Sequence, residues 1–245
     1  MKVTDYIADR INRLPLGYIF TYDDFELDVV HIDSVIKALG RMVKTGKIRR
    51  LSPGRFYKPR ITEFGELKPE IYQVVKDLLE RDGKITGYLT GYSTFNQLGL
   101  TTQISGKIQI GTNNVKKGMK RGMFRIGFIR QANRITKENV PLLRILDAIQ
   151  YIKEIPDSSV EQSCKILCNL INRASIQEKE QLASLALKYK PASRALTGAM
   201  IDMSGQREIA IKLLKSLNPA STYAFNIFED ILPNKGLFKI VFKSR

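Results

Sequence analysis

The feature that most narrows what this chain can fold into is a helix that runs directly into a tight basic hairpin. Residues 33–44 begin with the capping types Asp33 and Ser34, and their apolar side chains recur at Ile36, Leu39 and Val43. The other face carries Ser34, Lys37, Arg41 and Lys44. Gly46 ends the helix, and Ile48–Leu51 and Arg55–Lys58 then flank Ser52-Pro53-Gly54 as the two strands of a hairpin. Upstream, Thr4–Leu14 reads as an amphipathic helix with Tyr6, Ile7, Ile11 and Leu14 on one side, stopped by Pro15 and Gly17. An extended Tyr18-Ile19-Phe20 follows. Thr21 is the expected N-cap of a second, brief helix with Asp23 and Asp24 in its first turn. Three helices and a hairpin predict a winged helix-turn-helix over residues 1–62.

Charge is distributed as that geometry requires. Between Asp33 and Glu63 there is no acid, and the interval holds Lys37, Arg41, Lys44, Lys47, Arg49, Arg50, Arg55, Lys58 and Arg60. With a net charge of +16, the chain is attracted to polyanions, nucleic acid first. In a winged helix the third helix fits the major groove and the hairpin lies along the backbone. Ser34, Lys37 and Arg41 are thus the candidates for base-edge contact, and Tyr22, Lys44, Arg49, Arg50, Arg55 and Lys58 for phosphate contact. The competing reading of such a stripe is a solvated helix face.

Residues 63–245 read as a second domain, mixed α/β to about 137 and helical after it, which gives an α+β chain overall. Thr62–Lys68 has linker composition. Pro69–Arg81 is a helix with Ile71, Val74, Val75, Leu78 and Leu79 on its apolar side, closed by Asp82-Gly83. Lys84–Lys137 again lacks acids, with strands expected at Lys107–Gly111 and Met123–Ile129. Lys116, Lys117, Lys120, Arg121 and Arg125 form a possible second basic surface, the alternative being an ordinary soluble strand face with loops. Helices are expected at 141–154, 159–173, 177–189, 192–203 and 207–217, forming a bundle. Ser158–Glu161 and Ser175–Glu178 have capping-box form.

Several classes are disfavoured. No run approaches the roughly 18 apolar residues of a membrane span, and the N-terminus has no signal-peptide core, so the expected location is the cytoplasm. Cys164 and Cys168 lie on one helix face, and the only histidine, His31, is distant in sequence, which favours packed thiols over a metal site. Nucleophile-elbow, HExxH and phosphate-loop patterns are absent; after Gly111 and Gly118 comes Met119, where a phosphate loop needs Lys. The expectation is a protein that is not an enzyme, without metal or cofactor. The rival enzymatic reading is a nuclease or nucleotidyltransferase using Asp147, Glu154 or Asp202, which read more simply as helix-surface charges.

The stretch from Gly17 to Tyr57, with Lys44–Arg50 before the hairpin, and then Gly91-Tyr92-Ser93-Thr94-Phe95-Asn96-Gln97-Leu98-Gly99-Leu100-Thr101-Thr102-Gln103, resembles the AbiEi-type antitoxins of bacterial abortive-infection systems. The likeness covers about residues 1–135, and Leu217–Tyr223 resembles the C-terminus of a subgroup. The resemblance implies a transcriptional autorepressor that binds double-stranded DNA at its own promoter, in repeated half-sites. It also implies a type IV antitoxin countering a nucleotidyltransferase-like toxin without a stable complex between the two. The alternative is a winged-helix protein that acts on RNA or as an assembly adaptor.

Overall fold

In the first helix, α1 (Val3–Arg13), Ile7 and Ile11 are fully buried one turn apart while Asp5, Asp9 and Arg13 face water. The computed structural model describes residues 3–25, 32–103 and 105–242. They form an α+β protein of two compact units, one of Met1–Leu78 with Lys120–Phe124 and the other of Leu79–Met119 with Arg125–Arg245.

In the first unit α1 is followed by β1 (Ile19–Phe20), a 3-10 turn at Asp23–Phe25, α2 (Ile32–Lys44), β2 (Arg49–Ser52) and β3 (Arg55–Tyr57). The strands make one sheet in the order β1-β3-β2, with both pairings antiparallel. Ile7 and Ile11 meet Val35, Ala38 and Leu39 of α2 and Phe20, Phe25, Ile48 and Phe56 in one core. Each such large side chain removed from water contributes about 1.5–3 kcal/mol. Thr21 reverses its expected capping role, since its N–H and hydroxyl both donate to the Asp24 carboxylate. The brief second helix expected there falls largely on residues 26–31, which lie outside the described residues, as does His31.

Thr62–Lys68, expected to be a linker, instead belongs to a second hairpin, β4 (Arg60–Thr62) with β5 (Gly65–Leu67). Helix α3 (Ile71–Leu79) follows and buries Val74, Val75 and Leu79.

In the second unit Asp82 and Gly83, at φ 50° and 71°, make the two-residue turn between β6 (Glu80–Arg81) and β7 (Lys84–Ile85). Next come β8 (Gly87–Thr90), α4 (Tyr92–Phe95) and β9 (Lys107–Thr112); β10 (Met119–Arg121) leads into the segment counted with the first unit, and β11 (Phe124–Arg130) returns. β9 pairs antiparallel with β8 and parallel with β11.

The expected helices are all present: α5 (Asn139–Gln150), α6 (Val160–Arg173), α7 (Ile176–Ala186), α8 (Pro191–Met203) and α9 (Arg207–Lys215). The Ser175–Glu178 capping box is formed in both directions. At α6 the cap is Ser159, which accepts from the Gln162 N–H, so the cap lies one residue beyond the Ser158 expected to open a box with Glu161.

The C-terminal segment is tied to this bundle. β12 (Tyr223–Ala224) pairs with β13 (Ile240–Val241), and the buried Phe238 ring occupies the space a side chain at Gly198 of α8 would need. No helix among the described residues is long and apolar enough to cross a membrane.

Candidate nucleic-acid interface

The candidate surface is the outward side of α2. Val35, Ala38 and Leu39 are buried, whereas Ser34, Lys37, Gly40, Arg41 and Lys44 are exposed. The inward stripe therefore sits at 35, 38 and 39 rather than at 36, 39 and 43, and Ile36 is left 44% exposed. At 100° per residue, Asp33, Lys37, Gly40 and Lys44 form the central outward row, with Ile36 on one flank and Ser34 and Arg41 on the other. Lys37, Arg41 and Lys44, with Lys47 and Arg50 beyond the helix, are exposed, and none is engaged by another side chain among the described residues.

The remaining expected phosphate contacts are engaged inside the first unit. Arg49 Nε pairs with the Glu66 carboxylate at 2.9 Å, and its terminal nitrogen donates to the Gly46 carbonyl at 2.8 Å. Tyr57 also donates to Glu66, and its phenol is pushed up to about 12, first by burial and then by that hydrogen bond. Lys58 Nζ donates to the Asn12 and Leu14 carbonyls at the C-terminal end of α1, where a cation complements exposed carbonyls. Arg55 is held by Asp77 at 2.7 Å. The Tyr22 ring packs edge-on against Phe56 and lies over the hairpin turn at Gly54. Glu66 and Asp77, which take two of these arginines, come from outside the acid-free interval and had no part in the sequence reading.

Arg121 is the clear departure. Grouped by sequence with exposed cations, its side chain is only 6% exposed. It donates to both Asp77 oxygens, at 2.6 and 2.8 Å, and to the Val74 carbonyl at 2.6 Å. A guanidinium so buried and held by three hydrogen bonds is a structural anchor, and it leaves the second basic surface. Burial opposes ionisation of Asp77, but hydrogen bonds and charge from Arg121, joined by Arg55, outweigh it and hold the carboxyl below its ordinary range. Lys116, Lys117 and Arg125 of the second unit, and Lys120 of the first, are exposed.

The acids weighed for catalysis also fall differently. Glu154 is on the surface, but Asp147 is buried, accepting hydrogen bonds from Tyr88 at 2.6 Å, Thr90 at 2.5 Å and Tyr189 at 2.7 Å. Gln131 in turn donates to both tyrosine hydroxyls. Burial raises the carboxyl of Asp147 despite those three donors. Its partners lie 57, 59 and 42 residues away, so no local spacing announces the cluster. Asp202 is mostly buried at its side chain, bound by Asn234 and paired with Arg207. Cys164 and Cys168 are free thiols with sulfurs 4.0 Å apart.

A surface cavity of about 260 Å³ opens in the first unit between the α1–β1 turn at Pro15–Tyr18, Arg60 and Leu67 of the second hairpin, and Gln73 of α3. Among the described residues, no three histidine, cysteine, aspartate or glutamate side chains converge to hold a metal ion.

No curated protein matches the sequence. Among solved structures, the chain resembles the RV2827C protein from Mycobacterium tuberculosis, with a TM-score of 0.55 and 14% identity over 88% of this chain and 81% of that one. That likeness is one of fold. Residues 6–182 match the Family of unknown function (DUF6088), and the chain belongs to that family.

Proposed function

We propose that residues 1–62 act as a winged helix-turn-helix on duplex DNA, with α2 in the major groove and the β2–β3 hairpin along the backbone. The observation that carries this reading is the outward face of α2, where Ser34, Lys37, Arg41 and Lys44 are exposed and without a side-chain partner among the described residues, beside a β1-β3-β2 sheet. Arg41 suits guanine O6 and N7, while Lys44 and Arg50 suit phosphates. Lys116, Lys117, Lys120 and Arg125 remain candidate accessory contacts. The protein is then a cytoplasmic, non-enzymatic repressor of its own promoter. Its resemblance to the AbiEi-type antitoxins supports a role in a type IV toxin–antitoxin system, opposing a nucleotidyltransferase-like toxin.

A gel-shift titration on the protein's own upstream region, against a scrambled duplex of equal length at physiological salt, tests the first half. Selective retention of the native duplex by about 10³-fold or more is expected. Equal, weak retention of both duplexes refutes operator binding; in that case tighter binding of RNA than of either duplex would favour the RNA reading. Co-expression with a nucleotidyltransferase-like toxin encoded beside it tests the second half: growth rescue is expected, and failure of the full chain to rescue refutes the antitoxin role.

A further inference from the structure

Resting on the DNA-binding reading above, we infer that α2 reads thymine methyl groups through an apolar notch formed by Ile36 and Gly40. Ile36 is 44% exposed in a helix that has Val35, Ala38 and Leu39 to fill its core. Nearly half of this branched aliphatic side chain stays in water, where it adds nothing to the core. Gly40, one turn later on the same outward side, is equally unexplained from within. Its φ is not in the left-handed region, and a Cβ built on it meets no atom of the described residues within 4 Å. Glycine in mid-helix weakens the helix relative to alanine, so its use at an open position points to close approach by something outside the chain.

Lys37 and Lys44 lie beside the notch without a partner among the described residues, with Arg41 on the far flank, and these three cations outnumber the exposed Asp33 one turn before Ile36, so the complementary surface is a polyanion. In the major groove the apolar group that a duplex presents is the thymine C5 methyl. A methyl seated against Ile36, with the helix backbone drawn in at Gly40, satisfies all three observations together.

The test uses the full chain and two preparations of its upstream duplex, one containing thymine and one with deoxyuridine in every thymine position. Each methyl buried on Ile36 is expected to favour the thymine duplex about fourfold. Ile36→Ala is expected to abolish that preference while still selecting native over scrambled sequence. Gly40→Ala is expected to leave the protein at least as heat-stable yet weaken binding about tenfold or more, because the added methyl crowds the approach. Equal binding of thymine and deoxyuridine duplexes, with native still preferred over scrambled, overturns the notch and leaves the DNA-binding reading standing. Loss of all preference for the native sequence in the unmodified protein overturns both.

Discussion

The Arg121–Asp77 pair makes an asymmetric prediction. Arg121 is 6% exposed and satisfied only by Asp77 and the Val74 carbonyl, whereas Asp77 is 46% exposed and has Arg55 as a second partner. Asp77→Ala strands a buried guanidinium. Stranding a fully buried charge costs about 3–5 kcal/mol, and because water reaches the Asp77 side, about 2–3 kcal/mol is expected here. Arg121→Met removes the buried charge itself and leaves a carboxylate that water and Arg55 can serve, at about 1 kcal/mol or less. The double variant should be more stable than Asp77→Ala alone. Urea unfolding, followed by deuterium uptake in peptides from α3 and β2, reads the first unit by itself. With slopes of about 1–3 kcal/mol/M, the Asp77→Ala midpoint should fall by roughly 1–2 M. Equal costs for the two single variants, or a double variant as unstable as their sum, would refute the reasoning. The pH dependence has a defined sign. The folded carboxyl of Asp77 is held below its ordinary 3.8, so its contribution is present above 3.8 and is lost as pH falls through the lower folded value.

Other expectations follow from the same structure. If Lys44, Lys47 and Arg50 are the cations that meet phosphate while Lys37 and Arg41 face base edges, the log–log salt slope of DNA binding should be about −2.7 per chain, and a measured value near −6.3 would mean that Arg49, Arg55, Lys58 and Arg60 join them. Asp147→Asn replaces an acceptor of three hydroxyl hydrogens with a group that must itself donate, and should cost the second unit about 2 kcal/mol by urea titration. Because burial raises the Asp147 carboxyl, the stabilisation from its protonation is complete below 3.8 and is lost as pH rises through the folded value, opposite in sign to Asp77; thermal melts of wild type and Asp147→Asn across this range check it. Gly198→Ala sets a methyl 2.6 Å from the Phe238 ring and should lower stability by about 1–3 kcal/mol despite its better helix propensity, as read by calorimetry.

What the sequence revealed and what it hid divide along physical lines. The bundle helices were legible from their length and apolar content and, at α7, from a marked start at Ser175. The inward face of α2 was misjudged because Val35, Ile36, Ala38, Leu39, Met42 and Val43 spread over about 160° of its circumference, so two stripes fit equally well. The β4–β5 hairpin was invisible for the opposite reason. Its strands are three residues long and exposed nearly throughout, so no alternation records a buried side. β8 is buried at all four residues and likewise shows no period. For the candidate site, spacing located the cations of α2 but not their availability. In the hairpin, availability depends on Glu66 and Asp77, acids that reach Arg49 and Arg55 only through tertiary folding. The same limit applies to Asp147, whose surface-like place in a helix gave no sign of its tyrosine partners.

The loan of Lys120–Phe124 to the first unit has a consequence for how this protein can be made and recombined. On a ribosome, the first 78 residues emerge well before Arg121 does, so Asp77 and Arg55 wait without their third member until a stretch of the second unit has been synthesised. Gene fusion faces the same constraint. A rearrangement that carried off the leading segment alone would deliver the outward cations of α2 on a fold missing its buried guanidinium, so the two units are expected to be inherited as one cassette.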